Sequence, residues 1–153
     1  ITSDVGDVII QSPAGEQVGS VTLKVGVGII QVSGASAGLS VNTGVGSVSA
    51  TCGGEVNVVT SVGDVCVTLL SENPGNVKVK TDVGDLTLNI PSDRRGKLDA
   101  ETNVGDLNLH LPGIKLNNVR QRSHHINAML GDSADPTINV SSGVGDTIIR
   151  QKK

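Results

Sequence analysis

The chain has 153 residues, contains no Phe, Tyr or Trp, and carries a formal net charge of −3. This charge, without a basic stripe or an aromatic stacking platform, excludes nucleic acid as an expected partner. No stretch approaches the roughly 18 consecutive apolar residues of a membrane helix, so we expect no membrane insertion by this segment. The length predicts one domain over residues 1–153, with a core of Val, Ile, Leu and Ala.

The chain repeats a unit in which two alternating strands flank a corner that contains Gly. In Val77–Val83 the apolar positions are odd-numbered, whereas in Leu86–Ile90 they are even-numbered. Alternation with period 2 indicates a strand with one buried face. A change of parity across Gly84-Asp85 indicates a tight corner, because Gly adopts backbone angles that other residues avoid. We call the two strands pre-corner and post-corner.

The corner glycines recur along the whole chain at intervals of 22, 18, 17, 21, 21 and 40 residues, at Gly6, Gly28, Gly46, Gly63, Gly84, Gly105 and Gly145. A period near 20 residues predicts an all-β fold, a right-handed parallel β-solenoid (β-helix) of about eight coils of roughly 20 residues. The interval of 40 predicts a degenerate coil with His124-His125 in its corner position.

Turn-rich segments are expected to connect the coils on one edge of the stack. They are Gln11–Ser20, Ser71–Gly75, Pro91–Gly96, Pro112–Asn118 and Asp132–Pro136, and the small residues of Val32–Leu39 predict a further connection. If the coils stack in register, these loops line up along one side.

An Asp follows most corner glycines and is the most regular polar feature. The structural corner residues are Gly63, Asp64, Gly84, Asp85, Gly105, Asp106, Gly145 and Asp146. We expect each Asp to accept backbone N–H bonds at its own turn. One alternative is a calcium ladder, although the several acidic positions per turn of calcium-binding repeats are absent. Another is a divalent-metal site formed by Asp106, His125 and Asp146, if His125 lies between the two carboxylates.

The alternation also predicts on which side of the sheet the remaining polar side chains lie. Thr43, Thr60, Thr81, Thr102 and Ser142 form an inward ladder that is expected to hydrogen-bond within the stack. Cys52 points inward and Cys66 outward, which disfavours a disulfide between them.

The outward side of the post-corner strands is polar and almost uncharged. It offers a candidate binding strip for a sugar or a protein partner, with an ordinary solvated face as the alternative; its residues are Thr51, Thr68, Thr87, Asn89, Asn108 and His110. On the pre-corner side, Asp99 and Glu101 lie two residues apart without a third catalytic partner. No base or orienting group accompanies any Ser, so we expect no enzymatic activity and no cofactor.

The repeated unit G-x-V-x-V-x-T-x-V-G-D-L-x-L-x-I carries a resemblance to a known family. It occurs at Gly75–Ile90 and Gly96–Leu111, and the ending INVSSGVGDTII occupies Ile138–Ile149. These units resemble the bacterial putative-adhesin domains of unknown function, also called toastrack domains, over nearly the whole chain. The resemblance implies a parallel β-helix in a bacterial cell-envelope or extracellular setting, whose anchor lies outside this chain, and it brings no catalytic residues.

Two functions from different classes follow. The first is a non-enzymatic, adhesin-like scaffold that presents loops and a polar face to a protein or a surface glycan. The second is a polysaccharide-active lyase or hydrolase, because parallel β-helices host such enzymes and those enzymes need clustered carboxylates. The sequence also predicts self-association through the N-terminal coil, Ile1–Gln11, since an uncovered strand edge pairs with other chains.

Overall fold

The computed structural model describes residues 1–12, 18–70, 75–132 and 135–152 of the chain. The loop predictions that fall on 13–17, 71–74 and 133–134 therefore lie outside the described residues. Every regular element in the described part is a strand: β1 (Thr2–Val5), β2 (Val8–Gln11), β3 (Val18–Val27), β4 (Ile30–Val45), β5 (Val48–Cys52), β6 (Glu55–Val62), β7 (Val65–Leu69), β8 (Val77–Val83), β9 (Leu86–Ile90), β10 (Gly96–Val104), β11 (Leu107–His110), β12 (Leu116–Arg122), β13 (His125–Leu130), β14 (Thr137–Val144) and β15 (Thr147–Gln151).

The strands form one curled, largely parallel sheet. Its order is β11-β15-β9-β7-β5-β4-β6-β8-β14-β10-β13-β12, with β1, β2 and β3 joined at β3 and β4. Post-corner strands occupy one half of this order and pre-corner strands the other, and β4 belongs to both. The all-β, largely parallel architecture predicted from the alternation is thus confirmed.

The two halves of the sheet enclose one apolar core. Leu88 and Ile149 of the post-corner half and Val79, Leu98 and Val140 of the pre-corner half belong to the same buried cluster. All five are at most 2% exposed. Because the core lies between two layers of narrow aliphatic side chains, it needs no aromatic ring to fill it.

Strand β4 connects the two halves without a break. The prediction of a loop at Val32–Leu39 is wrong, because this segment continues as strand from Ile30 to Val45. Gly34, with φ of 83°, and Ala35, which is fully buried, lie at the point where the pairing with β5 shifts register. Small residues permit this bend around the end of the core.

The spatial order of the repeats differs from their order in the chain. Strand β14 pairs in parallel with β8 on one side and with β10 on the other. Strand β15 likewise pairs with β9 and with β11. The final repeat is therefore inserted between the fifth and the sixth, and the predicted sequential stack is wrong at this point. The alternation of residues within a strand does not show which of two equivalent strands a later repeat pairs with.

The segment with the His pair is not a degenerate coil. Strands β12 and β13 pair antiparallel with each other, and β13 pairs antiparallel with β10. This hairpin covers the outer edge of β10, the last pre-corner strand of the stack. The predicted count of about eight coils is therefore too high, since the described strands contain seven corner repeats and one hairpin.

Corner glycines are required by both backbone angle and contact. Gly84 has φ of 138°, a region that side chains other than Gly rarely adopt. A Cβ atom on Gly84 would overlap the carbonyl oxygen of Gly63 in the neighbouring repeat. Gly6 has a similar φ of 134°, but the nearest atom to its Cβ position is Ser3 Oγ at 3.8 Å.

The residue before each corner glycine departs from the predicted parity. Val83 was expected inside with Val77 and Val79, yet it is 46% exposed, whereas those two are 1% exposed. The chain has already begun to turn at this position, so the side chain leaves the core one residue before the glycine. The same holds for the equivalent residues, Val5, Val27, Val45, Val62, Val104 and Val144.

Candidate functional site

Aspartates link neighbouring repeats along the corner edge. Asp64 Oδ1 accepts the backbone N–H of Asp85 at 3.0 Å, and Asp85 Oδ1 accepts that of Asp146 at 2.9 Å. Asp146 Oδ1 accepts the N–H of Asp106 at 2.9 Å. The prediction that each Asp bonds its own turn is wrong, because the donor belongs to the next repeat in the stack. These bonds offset the repulsion expected between stacked carboxylates.

The structure does not bring His125 to Asp106 and Asp146. Those two aspartates are direct neighbours, whereas His125 Nε2 lies 2.6 Å from Asp99 Oδ1 on the outer face of the sheet. It is His124 whose Nδ1 approaches the corner, 3.2 Å from the carbonyl oxygen of Gly105. Within the described ranges no group of three or more His, Cys, Asp or Glu is arranged to hold a metal ion.

Three of the five predicted inward hydroxyls, those of Thr81, Thr102 and Ser142, bond the corners of adjacent repeats. Thr81 Oγ1 donates to the Gly63 carbonyl at 3.2 Å, and Thr102 Oγ1 donates to the Gly145 carbonyl at 3.0 Å. Both threonines are at most 2% exposed. The hydroxyls of Thr43 and Thr60 are buried without a hydrogen-bond partner among the described residues, so the predicted ladder is wrong at these two positions.

The two cysteines are free. Cys52 is buried, and its burial raises the pKa of the thiol to about 12. The thiol therefore stays protonated at neutral pH and is a poor nucleophile. Cys66 is half-buried on the outward side, as parity predicts.

Arg94 is a buried cation that the sequence analysis did not single out. It is 5% exposed, and its Nη2 donates to the carbonyl oxygen of Gly75 at 2.7 Å. Burial lowers the pKa of Arg94, and the nearby charge of Asp93 acts in the opposite direction. Its contact joins the loop after β9 to the segment before β8, which indicates a structural role.

The predicted binding strip is assembled, but not in chain order. Thr51 pairs with Thr68, and Thr68 with Asn89, in adjacent parallel strands. Asn89 Nδ2 donates to Thr68 Oγ1 at 3.1 Å, which fixes the orientation of the amide. Asn108 and His110 also lie outward, but they are exposed on β11, at the edge of this half of the sheet.

Insertion of β15 places a charge inside this strip. Arg150 lies between Asn89 and His110 in the register, and Ile148 lies between Thr87 and Asn108. Arg150 Nε donates to Asn89 Oδ1 at 2.8 Å. Arg150 is therefore part of the strip, although the sequence analysis did not include it. The strip is a polar surface with one cationic residue among its hydroxyls and amides.

The pre-corner half carries a cleft that the sequence analysis missed. Strand β14 places Asn139 and Ser141 between the lysines of β8 and the carboxylates of β10. A shallow cleft of about 310 Å³ results, lined by Lys78, Val79, Lys80, Asp99, Glu101, His125, Asn139, Val140 and Ser141.

The charged side chains in and beside this cleft have polar or charged neighbours. Ser141 Oγ lies 3.4 Å from Glu101 Oε1, and Lys80 Nζ lies 3.4 Å from Asp82 Oδ1. Asp99 is held by His125. The alternation pattern marked the polar side chains of β8, β10 and β14 as outward. The insertion of β14 brings Ser141 beside Glu101, and the pairing of β13 with β10 brings His125 to Asp99.

Comparison with known proteins identifies the family. The family profile described as Toastrack DUF4097 matches residues 1–150. The chain belongs to the Toastrack DUF4097 family. This membership confirms the resemblance indicated by the repeated V-G-D motif.

A solved structure resembles this Toastrack chain. It is that of "a putative cell adhesion protein" from Clostridium sporogenes ATCC 15579, with a TM-score of 0.53 and 25% sequence identity. The match covers 82% of the Toastrack chain and 56% of the other chain. The Toastrack chain therefore spans little more than half of that protein's solved chain. No curated protein matches the sequence significantly. Among the described residues, no helix has the length and apolar character needed to cross a membrane.

Proposed function

We propose that this Toastrack chain is a non-enzymatic interaction module of the bacterial cell envelope or cell surface. We propose further that it is one domain in which the curled sheet winds as a right-handed parallel β-solenoid, and that the stack presents its polar post-corner face to a protein or a surface glycan. The likeness to "a putative cell adhesion protein" supports a surface role. No cofactor is required for such binding.

The observation that carries the proposal is the fixed row of polar side chains from Thr51 to His110. Thr68, Asn89 and Arg150 are joined by two hydrogen bonds, so their donors and acceptors are already oriented. Preorganised polar groups lower the entropy cost of binding. Because the row lies on strands rather than loops, its spacing is set by the sheet.

Binding to purified bacterial wall polysaccharide and peptidoglycan tests this function. We expect Thr68→Glu, which adds a carboxylate to the middle of the row, to weaken sedimentation with these polymers by about tenfold. Asn57→Glu adds the same charge to an exposed position on the other half of the sheet and should leave binding unchanged. Failure of the wild-type chain to bind either polymer, or equal losses in the two variants, would contradict the proposal.

The cleft between β8 and β10 favours the alternative function, that of a polysaccharide-active enzyme. Asp99, Glu101 and His125 lie on one outward face, and carboxylates with a neighbouring His can act as acid and base. Incubation of acidic and neutral glycans with the chain separates the two functions. Turnover that Glu101→Gln abolishes would establish the enzyme, whereas binding without turnover supports the interaction module.

Self-association through the first repeat belongs to the same proposal. Strands β1 and β2 each pair with a strand on one side, and no described strand covers their other edge. Val8 N–H bonds Ile29, so by strand alternation the N–H of Ile9 faces the open edge. We expect concentration-dependent light scattering by the isolated chain, which Ile9→Pro should suppress. A wild-type monomer at high concentration would contradict this expectation.

A further inference from the structure

Cationic side chains gather at the hairpin β12–β13, although the chain as a whole has a net charge of −3. A cleft of about 780 Å³ opens there, lined by Lys97, Asn118, Val119, Arg120, Arg122, His125, Asn127 and Met129. No carboxylate belongs to this lining. The cleft is separate from the polar strip, since it lies on the pre-corner half of the sheet.

The antiparallel register explains why these side chains converge. Lys97 of β10 is opposite Met129 of β13, and Asn127 and His125 of β13 are opposite Arg120 and Arg122 of β12. Residues opposite one another in a ladder project from the same face. The three strands therefore direct Lys97, Arg120 and Arg122 outward to one side.

A bulge shapes the outer wall of the cleft. The register of β12 against β13 shifts between Asn117 and Arg120, and Asn118 has φ of 52°. A bulge bends its strand and redirects the side chains that it carries. Asn118 Nδ2 lies 3.3 Å from Met129 Sδ, so the bulged residue closes over the middle of the hairpin.

The positive charge of the cleft is not neutralised within the part of the chain that the structure describes. Lys80 and Lys115 have ion pairs with Asp82 and Asp132, but Lys97, Arg120 and Arg122 have none there. Asp99, the acidic residue nearest Lys97 in sequence on β10, is bound to His125. Arg120 and Arg122 are exposed at alternate positions of β12, the outermost strand, and thus remain available to an external anion.

We propose that this cleft binds an acidic polysaccharide. Guanidinium groups bind carboxylate and sulfate oxygens bidentately, which accounts for Arg120 and Arg122. The amides of Asn118 and Asn127 can bond sugar hydroxyls, and Val119 with Met129 offers apolar surface to the C–H faces of a sugar ring. The absence of aromatic residues from the sequence disfavours nucleic acid, whose single-stranded bases need stacking platforms.

Calorimetric titration of the full chain tests the assignment with four probes: polygalacturonate oligomers, dextran sulfate, neutral dextran and single-stranded DNA. We expect the first two to bind, and the tighter of them to identify the preferred acidic group. Affinity should fall as salt rises, because the contacts are charged and exposed. Neutral dextran should not bind.

Two double variants with equal changes in charge distinguish binding at the cleft from nonspecific attraction of the anionic glycan to the charge of the whole chain. Arg120→Gln/Arg122→Gln should weaken binding by about tenfold or more, since both bidentate contacts are lost. Lys24→Gln/Lys152→Gln removes two exposed cations that line neither cleft and should change affinity by less than about twofold. Thermal melts of both variants should match the wild type, because all four side chains are exposed.

Three results would overturn the proposal. They are no binding of either acidic glycan, equal losses in the two double variants, or tighter binding of single-stranded DNA than of the glycans. Thr68→Glu, which tests the polar strip, should leave acidic-glycan binding unchanged. A wild-type chain that binds the acidic glycans but neither wall polymer would refute the proposed function and leave this site intact. A wild-type chain that binds the wall polymers but neither acidic glycan would do the reverse.

Discussion

Asp85 Oδ1 accepts the backbone N–H of Asp146 at 2.9 Å, although 61 residues separate them in the chain. Asp146 then accepts the N–H of Asp106, which precedes it by 40 residues. The corner carboxylates thus hold the final repeat between the fifth and the sixth. The regular V-G-D motif is a contact between repeats as well as a turn.

Asp85→Ala should destabilise the chain by about 1 kcal/mol, because the N–H of Asp146 loses a charged acceptor in a partly solvated position. Asp85→Asn keeps an oxygen acceptor and should lose less. Asp106→Ala is the matched control, since the carboxylate of Asp106 accepts no hydrogen bond from the residues that the structure describes. Urea unfolding measures all three, and a larger loss for Asp106→Ala than for Asp85→Ala would contradict the direction of the bonds.

Gly84→Ala and Gly6→Ala separate backbone strain from contact between repeats. Both glycines have φ near 135°, at 138° and 134°, so both substitutions incur a strain of about 1–3 kcal/mol. At Gly84 the added Cβ also overlaps the Gly63 carbonyl, whereas at Gly6 it makes only an ordinary contact with Ser3 Oγ at 3.8 Å. We expect a clear fall in the melting temperature for Gly6→Ala and failure to fold for Gly84→Ala. Equal melting temperatures would show that the corners do not stack as described.

Leu88→Ala and Leu109→Ala compare equivalent positions of two repeats. Leu88 is fully buried between neighbouring strands, and its loss should cost about 2–5 kcal/mol. Leu109 is the equivalent inward residue of the sixth repeat, but it lies partly buried on β11, an edge strand. Its replacement should therefore cost less than half as much. Equal losses in denaturant titrations would favour the sequential order of repeats.

The repeat itself could be read from the sequence. The alternation in Leu86–Ile90 predicted the strand, and the change of parity at Gly84 predicted the corner. Both features could be predicted because a strand and a tight corner depend on neighbouring residues alone. The inward positions of Cys52, Thr81 and Leu88 followed from the same rule. Val83 did not, since the chain leaves the strand one residue before the glycine.

The pairing of distant repeats could not be read in the same way. Thr147–Gln151 fits beside β9 as well as Leu107–His110 does, because both present the same apolar face. The hairpin was also missed, since alternation in His125–Leu130 is identical for parallel and antiparallel pairing. Both candidate clefts depend on these long-range choices, so neither the approach of Ser141 to Glu101 nor the cluster of Arg120 and Lys97 could be predicted.

Disulfide cross-linking tests the inserted repeat most directly. In a Cys66→Ser background, Lys80→Cys/Ser141→Cys joins positions that are paired in adjacent strands, about 4.8 Å apart. Lys80→Cys/Glu101→Cys joins positions separated by β14, roughly 10 Å apart and beyond the reach of a disulfide. Under mild oxidation, the inserted order predicts a cross-link in the first variant and free thiols in the second. A cross-link between positions 80 and 101, with free thiols at 80 and 141, would show that the repeats stack in chain order and would contradict the account.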